Sequence, residues 1–183
     1  MKNLIIKTPQ PTRALVYLWT GTGWGKTTSA LGVALRAVGH DKHVVIIQFM
    51  KGRKDLIGEY RIRNKLRPLY QIYQFGKPDW VDLKHPNTKD KKLAAEALRF
   101  AYKTIKKNPP FLLILDEINI AAHIKLISTK DVLRFLDTVP KKTTTYLTGR
   151  YAPEAFIKRA DFATEIRPIK RPIPVEAREG IDY

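Results

Sequence analysis

No cysteine occurs among the 183 residues, which excludes disulfides, thiolate metal centres and thiol catalysis. Long apolar runs are missing too. Stretches such as Phe111–Leu115 fall far short of the ~20 residues that a membrane-spanning helix needs. The first ten residues carry an apolar patch without a cleavable leader pattern, so the expected location is the cytoplasm. His40, His43, His85 and His123 lack any metal-ligand spacing, and no zinc site is expected. Acidic residues are half as numerous as basic ones, 17 against 34, leaving a formal net charge of +17. Such an excess fits a polyanionic partner or a lysine-rich solvated surface. The basic residues are scattered rather than gathered in one stripe, which favours the surface; nucleic acid is not the expected partner.

What is present is ordered into periodic blocks. At about 150 residues per domain the length predicts one domain, and 44% hydrophobic residues in such blocks argue against disorder. Residues 1–13 read as a flexible arm, with Pro9 and Pro11, leaving residues 14–183 as the domain. Ala14–Leu18 is apolar and β-prone. Lys26–Val38 has a helical stripe of Ala30, Leu31, Ala34, Leu35 and Val38, stopped by Gly39. His43–Phe49 is almost wholly apolar, as a strand buried on both faces should be. Lys51–Pro68 is highly charged and gives no clear period, whereas Leu69–Phe75 alternates as a strand.

Further along, Thr88 is expected to cap a long helix reaching Lys107, and Phe111–Leu115 is another buried strand. Ser128 and Asp131 resemble a capping box before a helix over Lys130–Thr138. A strand at Thr143–Leu147, a short helix opened by Pro153 and a strand at Phe162–Ile166 follow. Strands alternating with helices predict an α/β fold. A single domain is expected, with a mostly parallel sheet and helices on both faces, and the glycine-rich Gly21–Thr28 loop between its first strand and first helix makes it P-loop NTPase-like (RecA-like).

The strongest motif is Gly21-Thr22-Gly23-Trp24-Gly25-Lys26-Thr27-Thr28, placed between a predicted strand and a predicted helix. Glycines let backbone N–H groups surround phosphate oxygens, and the helix N-terminus adds its positive end. Lys26 is the candidate phosphate lysine and Thr27 the candidate Mg²⁺ ligand. The spacing is one residue tighter than G-x-x-x-x-G-K-[ST], because Thr20 occupies the position where the first glycine would stand. Trp24 could pack beside the nucleotide, against the arm, or lie exposed. Asp116 and Glu117 end the strand Phe111–Leu115, the edge where open α/β sheets bind ligands. In an extended strand end they would point to opposite sides, one toward Mg²⁺ and the other toward the phosphate loop.

Six ordered blocks resemble the corrinoid adenosyltransferases: Gly21–His40, Val44–Gly52, Leu113–Ala121, Leu147–Glu154, Ala160–Lys170 and Ala177–Tyr183. The shortened loop is itself a feature of that family. The resemblance implies that Co(I) of a reduced corrinoid attacks C5′ of ATP and the whole triphosphate leaves. Co(I) carries no proton, so no general base is required, and no serine–histidine or histidine–carboxylate set is found. On this reading Lys26, Thr27 and Glu117 are catalytic, with Thr27, Glu117 and Asp116 at the Mg²⁺. ATP is bound by Gly21–Thr28, Arg36 and Arg150; Phe75, Trp80 and Asn119 face the corrinoid. A homodimer and a flavoprotein reductase are the implied partners. Two other readings compete: a P-loop ATPase whose basic surface holds nucleic acid, and a non-catalytic binder of nucleotide or corrinoid.

Overall fold

The computed structural model describes residues 12–53, 56–79, 81–174 and 176–183. Most of the expected arm, residues 1–11, lies outside these; its end is tied down by an ion pair between Arg13 and Asp161 at 3.0 Å.

Six strands form one sheet: β1 Val16–Thr20, β2 Val44–Phe49, β3 Tyr70–Phe75, β4 Leu112–Asp116, β5 Thr144–Thr148 and β6 Phe162–Glu165. Their spatial order is β3-β2-β4-β5-β1-β6, and every pairing is parallel. A parallel sheet must be covered on both faces, and the unbroken apolar runs of β2 and β4 are buried throughout. The helix α1, Lys26–Val38, covers one face by laying Ala30, Ala34 and Ala37 on Val44, Ile46, Leu112 and Ile114. The opposite face takes α3 (Thr88–Lys107), α4 (Ile118–His123), α5 (Thr129–Thr138) and α6 (Glu154–Arg159) over Val45, Ile47, Leu113 and Leu115.

From β1 the chain winds outward to β3 on the α1 face. It then returns across the other face to β6 at the far edge. Right-handed crossovers force such a change of face when the winding direction reverses. All strand carboxyl ends therefore share one edge, and the ends of β1, β2, β4 and β5 lie close together there.

Local corrections follow from hydrogen-bond chemistry. Asn87, not Thr88, caps α3. Its side chain accepts from Asp90 N at 3.0 Å, and the Asp90 carboxylate accepts from Asn87 N at 3.3 Å. Both residues are competent caps, and the acidic residue three positions after Asn87 decides the register. Ser128 caps α5 as expected, accepting from Asp131 N. The short α4 has too few residues to display a period and was not predicted. The charged stretch after β2 holds a short helix α2, Gly58–Arg61, followed by a 3₁₀ turn at Ile62–Asn64.

Asn87→Ala is expected to cost about 1 kcal/mol in urea unfolding. Thr88→Ala, at an exposed first-turn position, should stay within about 0.5 kcal/mol of the unaltered chain.

Candidate active site at the carboxyl edge of the sheet

The phosphate loop leaves β1 at Thr20 and enters α1 at Lys26. Its glycines have separate reasons to be glycine. Gly21 lies against the backbone of Ile166, where a Cβ would clash, and Gly23 N donates to Ile166 O at 2.9 Å. The chain just past β6 thus buttresses the loop from behind. Gly25, in contrast, has open space around it and is required by its left-handed backbone, φ 97°. It is the N-cap of α1 yet offers no side-chain acceptor, so the first N–H groups of the helix lack a capping side chain there. Such groups are an anion site in waiting. Lys26 is buried and folds back to donate to Gly23 O. Burial lowers its pKa, as does Arg150, against the opposing pull of Glu117 and Asp116.

Behind the loop stands Asp116, the last residue of β4 and 1% exposed. Its Oδ1 accepts from the hydroxyls of Thr27 at 2.8 Å and Thr148 at 2.6 Å. Its Oδ2 accepts from Gln48 Nε2 at 3.0 Å and Lys51 Nζ at 2.8 Å. Burial alone would push this carboxyl up. The Lys51 charge and the hydrogen bonds from Lys51, Thr148 and Thr27 outweigh it and hold the group below the usual carboxylate range. Gln48 is in register with Asp116 and also donates to Glu59 at 3.0 Å; it accepts from Gln74 at 2.8 Å. A polar row thus crosses β3, β2 and β4 at the carboxyl end of the sheet.

Glu117 does not continue the strand, as the alternation argument expected. It takes a left-handed conformation, φ 65°, and becomes the N-cap of α4, its N–H donating to Thr148 Oγ1 at 3.0 Å. Burial and the neighbouring Asp116 charge raise its pKa, against Lys51, Lys26 and Arg150.

Loop and carboxylate border a cavity of about 660 Å³, within the usual range for small-molecule sites. Thr27, Thr28, Trp24, Lys51, Glu117 and Arg150 supply its polar and aromatic lining, and Leu31, Val81, Leu83, Ile120, Ile181 and Tyr183 its apolar walls. A second cavity, about 480 Å³, adjoins it and shares Met50, Lys51, Glu59, Asp182 and Tyr183.

Sequence reasoning thus named much of the polar lining. The structure does not bring Arg36 there: it is exposed in the last turn of α1, ten residues and about 15 Å of helix beyond Lys26. Asn119 is fully buried, and its amide donates to Trp19 O at 3.0 Å and Gly149 O at 3.2 Å, bracing β1 against β5. Phe75 packs on Phe100 of α3, centroids 5.4 Å apart, and lines neither of the two larger cavities. Trp80 lies outside the described residues. Trp24 is 46% exposed on the cavity wall. Gln48, Lys51, Glu59, Thr148 and the C-terminal residues were missed. Only Gln48 carried a visible signal, a lone amide in a strand buried on both faces. Among the described residues no cluster of three or more histidine and carboxylate side chains could hold a metal, and no helix could cross a membrane.

Asp116→Asn is expected to cost of order 3 kcal/mol at neutral pH, because it strands a partly buried ammonium. The depressed pKa of Asp116 contributes stability that is present above the ordinary carboxylate value and lost as pH falls through the folded value. Thermal unfolding below about pH 4 should therefore decline less steeply in the variant than in the unaltered chain.

Comparison with known proteins agrees with this geometry. Residues 12–183 match the family model described as ATP:corrinoid adenosyltransferase BtuR/CobO/CobP. The Corrinoid adenosyltransferase of Escherichia coli K12 is 31% identical over 95% of this chain and 88% of its own length. Corrinoid adenosyltransferase CobA of Salmonella typhimurium LT2 is 33% identical over 95% and 88%. The corresponding Sinorhizobium protein is 30% identical over 100% and 86%. Among solved structures, the KaiC-like protein PH0186 of Pyrococcus horikoshii OT3 superposes with a TM-score of 0.58 at 19% identity, covering 87% of this chain and 75% of that one. That likeness establishes the RecA-like α/β fold alone. With the match running from Thr12 to Tyr183, the chain belongs to the ATP:corrinoid adenosyltransferases, a family of transferase enzymes.

Proposed function

We propose that the chain transfers the 5′-deoxyadenosyl group of ATP to Co(I) of a reduced corrinoid. The cobalt electron pair forms the Co–C5′ bond, the C5′–O bond breaks, and the departing oxygen keeps its pair within inorganic triphosphate. The observation that carries this reading is the pairing of a phosphate cradle with two adjoining cavities. One has the loop as its lining; the other shares its wall at Lys51, Glu59 and Tyr183. A hydrolase would need one small site and a group to activate water. In this arrangement ATP and one edge of the corrinoid meet at a shared boundary, with the rest of the corrinoid outside the cavities.

The chain's contribution is alignment and charge compensation rather than proton transfer. Lys26, Arg150 and the N–H groups of the loop face the triphosphate. Trp24 and the apolar walls face the less polar parts of the two substrates. A divalent cation fits the residues present. Glu117 borders the cavity, and burial and Asp116 hold its pKa up, the condition of a carboxylate that gains from a nearby cation. Thr27 and Glu117 would hold Mg²⁺. Asp116, with both oxygens engaged, acts by orienting Thr27. When bound, Mg²⁺ supplies charge neutralisation on the triphosphate. A homodimer, a flavoprotein reductase and a cytoplasmic setting belong to the same reading through the family resemblance, as does a corrinoid contact by Trp80.

Anaerobic mixing of the protein with MgATP and chemically generated cob(I)alamin should yield adenosylcobalamin, seen by absorbance, together with inorganic triphosphate. ADP and phosphate instead would replace this reading with that of an ATPase. Lys26→Ala should lower kcat/KM about 100-fold or more. Turnover close to that of the unaltered chain would remove Lys26 from the site.

A further inference from the structure

We propose that Lys51 is a second triphosphate-binding lysine, which meets the phosphate chain from β2 as Lys26 meets it from α1. The proposal deepens the nucleotide half of the function above and rests on it for the identity of the ligand.

Lys51 is placed by a built piece of backbone. The preceding residue, Met50, is left-handed at φ 59°, a conformation that a non-glycine residue keeps only where its surroundings enforce it. Met50 N donates to Phe75 O at 2.9 Å. Immediately after Lys51, the Gly52 and Gly76 backbones cross so closely that a Cβ on either would overlap the other segment. The chain on both sides of Lys51 is thereby fixed against the end of β3.

The side chain then reaches the centre of the site. Four groups donate to Asp116: Thr27, Thr148, Gln48 and Lys51. Thr148 and Gln48 are fully buried, whereas Thr27 and Lys51 line the large cavity. One carboxylate therefore presents a hydroxyl and an ammonium to the same space, the hydroxyl on Oδ1 and the ammonium on Oδ2. The Lys51 side chain is 24% exposed and borders both cavities. An ammonium has three donors. Lys51 places one on Asp116, and Glu59 at 3.7 Å contributes charge without a hydrogen bond. Two N–H groups are left for an anion on the wall where the phosphate loop has its own. Asp116 also receives three neutral hydrogen bonds, and its contact with Lys51 occupies one ammonium donor, not all three.

The test uses inorganic triphosphate with Mg²⁺ as the probe, measured by titration calorimetry on the full chain. Lys51→Gln keeps an N–H donor for Asp116 and deletes the charge. Its Kd for Mg-triphosphate is expected to rise about 10- to 100-fold, with a cooperative thermal transition retained. A cooperatively folded Lys51→Gln that binds triphosphate within twofold of the unaltered chain would make Lys51 a counter-ion of Asp116 and nothing more. A second measurement needs no variant. Acetylation of Lys51 in the unaltered chain, read by mass spectrometry, should fall when Mg-triphosphate is added; unchanged labelling at saturation overturns the proposal. The two levels separate cleanly. If Lys51→Gln weakens triphosphate binding but the unaltered chain forms no adenosylcorrinoid, the reaction assignment falls and Lys51 stands. If adenosylcorrinoid forms while Lys51→Gln binds triphosphate normally, only the role of Lys51 is lost.

Discussion

A carboxylate taken almost completely out of water has to be repaid with positive charge and hydrogen bonds, or it drags the fold down by several kcal/mol. Asp116 is such a group, and its four donors come from four different parts of the chain. Thr27 belongs to the first turn of α1, Gln48 to β2, Lys51 to the segment after it, and Thr148 to the end of β5. Satisfying one buried charge therefore fixes the phosphate loop relative to three strand ends. The same bonds that keep Asp116 ionised set the orientation of the Thr27 hydroxyl, so stability and site geometry are one set of contacts.

The adjacent carboxylate has been freed from that duty by a single backbone torsion. Had Glu117 continued the strand, its side chain would have been carried to the other face of the sheet. The left-handed turn at φ 65° starts α4 there and leaves the side chain on the cavity wall. Two neighbours in sequence thus acquire opposite electrostatic characters, one pulled below the ordinary carboxylate range and one pushed above it. Gly149, which follows Thr148 with φ 128°, leaves room beside the Glu117 carboxylate, where a Cβ would come within 3.2 Å of Oε2.

Much of this architecture could be read from the residues. The runs at Val44–Phe49 and Leu112–Leu115 lie between two helical layers as their apolar character predicts, although Phe111, expected to open the second strand, stays outside it and exposed, and the glycine loop announces its helix. Arg36 was assigned to the nucleotide through the family resemblance, although helix geometry already separates it from Lys26 by about 15 Å. Asn119 and Phe75 stand outside the lining of the two cavities for a different reason. Each sits beside the site in sequence, but side-chain direction at a strand end or in a one-turn helix depends on torsions that local pattern does not encode. Lys51 and Glu59 were invisible because their significance exists only once β2 lies next to β4. Gln48 was the exception, since a buried amide demands a partner wherever it is. The Ile166 contact that explains Gly21 spans most of the chain and could not be anticipated from either end.

The strand order also dictates when the site can come into being. Among the described residues β1 pairs with β5 and β6, whose residues begin at Thr144 and Phe162. During synthesis, which proceeds from the N-terminus, the strand that carries the phosphate loop waits without a neighbour while β2, β3 and β4 can already pair among themselves. Long-range pairings of this kind are slow to form because loop closure precedes any reward. The strand that carries the loop thus precedes in synthesis both strands it pairs with. A chain cut short before β5 would keep Gln48 and Lys51 beside Asp116 but lack Thr148, and β1 would have no strand to hold the Thr27 hydroxyl in place.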